Sequence, residues 1–462
     1  SWTDAFVDVQ KALAVAAAGD QIWVAKGKYT PSDNDATLSF NLVDGVSLYG
    51  GFAGSESQLS ERNWTINETI LSGDIGRDDI VGSGQFWYLN WNRNTANSGH
   101  VITALGVGPT AIVDGFTIAD GATGPDGTPA GDPLMYGSGI YCISASPTVR
   151  NCTFTHNLAA FGHGGGAYIL DGSPLFENCK FLENYVHLGN GGGLSAYGNS
   201  TPTIRDCEFS RNVAVHGGSG GQGMGAGVHL WTGQAVTIER CLFDQNLAKY
   251  FYAVGGLDPA RGAGLFCFTS PVSLFNCTFT RNQANQGGGA FTFGPTTYVN
   301  CLFADNKAVP QPNDPYPELG GDGAGLATIS FQAVSTQIIN CTVVNNSAKK
   351  YAGASAWQNA TFVVENDVFW GNVASDPTYN GYWEAQLTKA FDTIGYSCVQ
   401  NLFGPPKEGE DPIEPEKRPG CIEQNPKFVG GGFALPEAKA SAPAPPSSVA
   451  INSSSAEFVG LS

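Results

Sequence analysis

The chain has 462 residues, 61 of them Gly, with only 14% charged residues and a formal net charge of −18. Glycine at about 13% is roughly double the usual share, and so acidic a chain argues against nucleic acid and anionic membranes as partners. No run of 18 or more apolar residues occurs, so no transmembrane segment is expected.

The chain opens at Ser1 without Met or a basic-then-apolar leader, which reads as a mature or trimmed chain. Residues 4–18 place Phe6, Val9, Leu13 and Ala16/Ala17 at helical spacing, with Thr3 or Asp4 as N-cap and Gly19 as the stop. Strands are expected at 21–25, 42–51 and 69–73, a surface excursion at 74–99, further strands near 101–103 and 111–118, and a loop at 121–136. A helix leading into a first strand can plug the open end of a stacked core, which would otherwise expose unpaired backbone.

From residue 137 one phrase recurs. Asn276-Cys277-Thr278-Phe279-Thr280-Arg281-Asn282 is followed by Gly287-Gly288-Gly289, and the Cys position returns at 152, 179, 207, 241, 277, 301 and 341, with Asp367 in the last copy. A step of 24 to 40 residues holds three short strands and three turns, stacked at about 4.8 Å per coil. Phe and Cys then stack inward on their equivalents, the terminal Asn forms an amide ladder, and Gly occupies corners needing φ > 0. The span from each Phe-x-x-Asn to the next Gly-x-Gly varies from 4 to 16 residues, so insertions gather on one edge, where binding loops are often found. The predicted fold is all-β, a right-handed parallel β-helix with an N-terminal helical cap. Residues 1–136 form the cap and first coils, 137–375 the regular repeats, and 376–462 the last coils and an irregular segment; within it 404–420 is a loop and 435–455 is extended.

The pairing of Phe154…Asn157 with Gly165-Gly166-Ala167, and of Phe279…Asn282 with Gly288-Gly289-Ala290, resembles the repeats of the chlamydial polymorphic outer-membrane protein family. The N-terminal stretch, with Leu48-Tyr49-Gly50-Gly51-Phe52-Ala53-Gly54, Arg62-Asn63-Trp64 and Thr69-Ile70-Leu71-Ser72-Gly73-Asp74, is similar to a class of secreted bacterial β-helix proteins. Asn425-Pro426-Lys427-Phe428-Val429 looks like that class's closing motif. The resemblance implies a right-handed parallel β-helix and export. It implies no particular activity, because one fold hosts many functions, and nothing here matches the polymorphic proteins' C-terminal barrel.

Two groups of residues are candidates for function. His163, His187 and His216 fall in the variable segments of successive coils, with Lys249, Tyr250 and Arg261 in the next. A polysaccharide lyase needs a cation for the uronate carboxylate and a base for the α-proton, and this edge could supply both as catalytic residues. The ordinary alternative is a set of solvated or locally hydrogen-bonded side chains. The second group follows from alternation. If Ile140/Cys142, Leu194/Ala196, Val228/Leu230 and Leu265/Cys267 point inward, then Tyr141, Tyr197, His229, Trp231, Phe266 and Phe268 point outward as an aromatic binding face. Cys398 and Cys421 stand apart from the repeats and suggest a disulfide, hence an oxidising compartment. No phosphate loop, zinc spacing or nucleophile elbow occurs, so no metal or cofactor is expected. The leading expectation is an extracellular or bacterial cell-surface structural or binding protein, its partner being another copy, a surface protein or a polysaccharide. The alternative is an extracellular polysaccharide lyase or glycoside hydrolase.

Overall fold

The structure is a computed structural model. It describes residues 2–77, 97–123, 132–216, 223–250, 259–310, 321–379, 381–388, 390–404, 413–426, 432–433, 449–452 and 457–460. Two compact units are present, Ser1–Val236 with Asn246–Val254, and Thr237–Gln245 with Gly255–Ser462.

In the first unit each coil contributes strands to three parallel sheets. The first sheet stacks Ile102–Leu105, Ile140–Ile143, Ala167–Leu170, Leu194–Tyr197 and Val228–Trp231 in unbroken register, and beyond a corner Ile112–Asp114, Thr148–Arg150, Leu175–Glu177 and Thr203–Arg205. The second stacks Thr69–Ser72, Thr117–Ala119, Thr153–Thr155, Lys180–Leu182 and Glu208–Ser210. The third stacks Leu158–Ala159, Tyr185–His187, Val213–His216 and Leu247–Tyr250. The second unit repeats the plan. Its first sheet includes Leu265–Phe268, Ala290–Phe293, Leu326–Ile339 and Ala354–Glu365, and its second runs from Leu242–Asp244 to Cys398–Val399. This is a right-handed parallel β-helix.

The repeated phrase accounts for the stacking. Phe154 lies on Phe181 at 4.6 Å between ring centroids and Phe181 on Phe209 at 4.7 Å, nearly coplanar; in the second unit Phe243–Phe279 and Phe279–Phe303 are 4.4 and 4.8 Å apart. The Cys side chains are buried beside them, Cys152 Sγ donating to the Arg150 carbonyl, and burial pushes that thiol up to about 12. Asp367, in the Cys position, is also buried; its carboxylate accepts the N–H groups of Cys341 and Glu365. The final Asn of each phrase builds the amide ladder. Asn157 Nδ2 donates to Asn184 Oδ1, Asn184 to Asn212 and Asn212 to Asn246, each at 3.0 Å. In the second unit the ladder passes through Asn282, Asn306, Asn346 and Asn372 and ends on Gln386 Oε1.

The first Asn of the phrase has a different job. Asn151, Asn178, Asn276, Asn300 and Asn340 sit at φ of 51 to 55°, a left-handed conformation that Asn tolerates better than most residues. Gly164, at φ +72°, is required for a second reason, since an added Cβ would lie 2.2 Å from the Ala167 carbonyl.

Several expectations need correction. The N-terminal helix is Val9–Val15, not 4–18. Asp8 starts it by accepting the Gln10 N–H, and Asp20 draws Ala17 out of helical geometry by accepting its N–H. Val9 and Leu13 are buried, whereas Phe6 is 58% exposed. Residues 122–123 and 158–159 form strands that the chain pattern did not mark. In the segment expected to be extended, Val449–Asn452 is indeed extended, a strand pairing antiparallel with Gly432–Phe433 and Glu457–Gly460. Most of the 74–99 excursion, residues 405–412 of the 404–420 loop, the variable segments 217–222, 251–258 and 311–320, and much of the closing motif lie outside the described residues.

Candidate functional site

Each four-residue strand of the first sheet turns two side chains inward and two outward. In the first unit the outward pairs begin with Thr103, Tyr141, Tyr168, Ser195 and His229 and end with Leu105, Ile143, Leu170, Tyr197 and Trp231, aligned by the register. The alternation is as expected, but the exposure is not. His229 and Ser195 are fully buried and Tyr168 nearly so. The reason lies in two residues that precede left-handed glycines, Tyr136 and His163, which fold back over this column. Tyr136 stacks on Tyr168 at 4.7 Å, and His163 lies parallel to His229 at 6.3 Å while it also reaches Tyr197 of the later column at 4.9 Å. The later column stays open: Leu105 is 59% and Trp231 40% exposed, and Ile143, Leu170 and Tyr197 are half-buried.

The histidines here are structural in geometry. His163 Nδ1 accepts the Asn190 N–H at 3.1 Å, which places the proton of the neutral ring on Nε2. Burial pushes His163 down to about 4, and His229, bonded through Nδ1 to Ser195 Oγ, well below the usual range. His100, whose Nδ1 meets the Gly137 carbonyl at 3.1 Å and whose ring stacks on Tyr141, is likewise pushed down to about 4 by burial. Its place in the stack was not foreseen.

The other catalytic candidates do not join them. His187 is a strand residue with Nδ1 3.0 Å from Tyr185 Oη. His216 and Tyr250 lie on paired strands, but their side chains are outside the described residues. Lys249 pairs through its backbone with Val215 and is exposed. Arg261 belongs to the second unit, where its guanidinium lies 5.1 Å over the Phe291 ring and Nε donates to Gln286 Oε1.

In the second unit Phe266 and Phe291 are buried, which corrects the expectation that Phe266 is open. Phe268, Phe293, Ile329 and Trp357 form its later column and are half-buried. The residues preceding the left-handed turn position, Gly262, Gly287, Gly323 and Tyr351, align as Arg261, Gln286, Asp322 and Lys350 on four successive coils. Asp322 is 3% exposed, its Oδ1 has no hydrogen-bond partner among the described residues, and burial raises its carboxyl to about 7 against the opposing pull of Lys350 and Lys349. Nearby, Tyr351 and Tyr379 lie ring to edge at 5.0 Å and Lys350 Nζ is 5.9 Å from the Tyr379 centroid. A carboxyl raised in the folded state stabilises it below its unfolded value near 3.8, and that stability is lost as pH rises through about 7. The penalty reaches about 4 kcal/mol once the carboxyl is fully ionised. Asp322→Asn is therefore expected to raise the thermal unfolding midpoint at pH 8 by about 2–5 °C and to give no gain at pH 3, as read by calorimetry.

Cys398 and Cys421 are free thiols, a correction to the expected disulfide. Each thiol is directed at a carbonyl instead, Cys398 Sγ at Gln424 O (3.1 Å) and Cys421 Sγ at Ile394 O (3.2 Å), and burial pushes Cys421 up to about 11. They lend no support to an oxidising compartment. No helix among the described residues is long and apolar enough to cross a membrane.

A family model described as the right handed beta helix region matches residues 138–375, more than half of the chain. The chain belongs to the right-handed β-helix family. A second model, described as a protein of unknown function (DUF1565), matches residues 3–169. No curated protein and no solved structure matches. Membership in the β-helix family agrees with the stacked parallel sheets and leaves the activity to be argued from the surface.

Proposed function

We propose that this β-helix protein is an extracellular or bacterial cell-surface structural and binding protein that acts by contact, using its outward apolar column to grip a partner: another copy of itself, a surface protein or a polysaccharide. The observation that carries this reading is the unbroken column Leu105–Ile143–Leu170–Tyr197–Trp231 on the first unit, one outward side chain per coil. Single exposed apolar residues need no explanation, but a contiguous row of them marks a contact surface. The buried, neutral histidines of the same unit favour contact over proton transfer. Export is supported by the resemblance of the N-terminal stretch, residues 48–74, to a class of secreted bacterial β-helix proteins. Sedimentation velocity, with retention on immobilised polysaccharides and surface-protein extracts, tests the proposal. Leu105→Asp and Trp231→Asp are expected to weaken self-association or retention by roughly tenfold or more. A chain that is monomeric at all concentrations, and retained no differently from these variants, would count against it.

A second reading, a polysaccharide lyase or glycoside hydrolase, is favoured by one observation, the buried Asp322 carboxyl beside Lys350 and the Tyr351–Tyr379 pair. It predicts turnover of a polysaccharide that Asp322→Asn removes.

A further inference from the structure

Residues 53–67 leave the sheets between the strands Ser47–Phe52 and Thr69–Ser72, yet they are tightly tied. Glu56 accepts the N–H groups of Ala53, Gly54 and Ser55 at 2.6 to 3.0 Å, and Glu61 those of Ser57 and Gln58 at 2.7 and 3.1 Å. Asn63 Oδ1 accepts from the backbone of Thr65 and Ile66. Arg62 anchors the excursion to the coils. Its Nη1 donates to the Gly50 and Asp114 carbonyls, its Nη2 lies 2.7 Å from Asp114 Oδ1, and its guanidinium lies 5.0 Å from the Tyr49 ring and 4.8 Å from that of Trp64. The Trp64 backbone sits so close to Gly51 that an added Cβ there would come within 2.7 Å of it.

This anchoring holds apolar surface open to solvent. Trp64 is 37% and Ile66 76% exposed, and the Trp64 indole N–H donates to no partner among the described residues. Beside it lies an open depression of about 500 Å³ lined by Gln58, Leu59, Ser60, Arg62 and Trp64. An indole that is flat, apolar and carries an unused donor suits a ligand that is apolar on one face and hydroxylated at its rim. A pyranose ring has that character, with axial C–H groups for the ring face and hydroxyls for Gln58, Ser60 and the indole N–H. Charge narrows the class. Asp114 compensates the Arg62 cation, and the chain carries −18 overall, which disfavours polyanionic glycans. Because the depression is set before the ligand arrives, little ordering opposes binding.

We infer that this depression binds one sugar residue of a neutral glycan chain, with Trp64 as its platform and Gln58 and Ser60 as hydrogen-bonding groups. The site is separate from the Leu105–Trp231 column and does not depend on its role. Affinity electrophoresis of the full chain through gels holding neutral glucan, mannan or galactan, or polygalacturonate, tests it, with titration calorimetry against hexasaccharides of any neutral polymer that retards it. At least one neutral polymer is expected to retard the chain. Trp64→Ala should weaken that binding by roughly tenfold or more, Trp64→Phe by less, and Gln58→Ala with Ser60→Ala by roughly threefold. The Gln58/Ser60 variant, which keeps the Arg62–Trp64 contact, serves if Trp64→Ala fails to fold. Retardation by no neutral polymer, retardation by polygalacturonate alone, equal binding by all variants, or loss of self-association in Trp64→Ala would overturn the inference.

Discussion

Asn184→Ala is expected to lower the unfolding free energy by about 3–5 kcal/mol. The Asn184 amide makes four buried bonds: Nδ2 donates to Phe154 O and Asn212 Oδ1, and Oδ1 accepts from the Asn157 N–H and Asn157 Nδ2. Alanine removes all four, and a buried donor left unpaired costs more than a hydrogen bond normally contributes. Six residues earlier, Asn178 is exposed, bonds through Nδ2 to Asn151, and sits at φ 51°. Asn178→Ala loses mainly its tolerance of the left-handed backbone and should cost only about 1–2 kcal/mol. Denaturant unfolding of the two variants compares them directly. Equal losses would mean that the ladder is no more than a turn preference.

The second large effect is acid sensitivity of the first unit. His100 and His163 are held near 4 by burial, and burial also holds His229 well below the 6.5 of an unfolded histidine. Below about 6.5 the unfolded chain binds protons that the folded one refuses, so folded stability is complete above that pH and falls as pH drops towards 4. His100 alone accounts for about 3 kcal/mol when the effect is fully developed, half-buried His163 for less, and His229 acts in the same sense. Glu183, held down to about 2 by His156 and Arg211, adds a loss at lower pH. Asp322 works in the opposite sense in the second unit, so the comparison needs a variant. Thermal unfolding at pH 7.5, 5.5 and 4.5 should show a steep decline that His100→Asn makes shallower. A profile flat across this range, identical in the variant, would contradict the assignment.

The recurring phrase made the interior legible. Phe154, Phe181 and Phe209 declare their stack by identity and spacing, and the terminal Asn its ladder, because an infinite repeat leaves each residue only its own equivalents as neighbours. The left-handed turn at the first Asn was not marked, because the sequence assigns such corners to Gly and Asn only tolerates them. The surface was less legible too. Whether His229 is open depends on His163, whose segment varies in length from coil to coil. Asp322 precedes a glycine as many solvated aspartates do, and only the folded chain buries it. The helix boundary differs because Asp8, which caps the helix, lies inside the stretch that periodicity alone would make helical, and Asp20, just beyond that stretch, accepts the Ala17 N–H. Arg62-Asn63-Trp64 stood out as a motif, yet nothing in its spacing says that the indole is left uncovered.

The amide ladder of the second unit has a consequence for how such a molecule acquires its length. Asn282 and Asn306 are 24 residues apart and hold identical bonds to the coils on either side, while Gln386 ends the row by offering the same amide oxygen from another residue. A coil is thus an interchangeable link. A gene that loses or duplicates one such link in frame returns a chain whose cut faces still match, so reach can drift over generations while the chemistry of every junction is inherited unchanged.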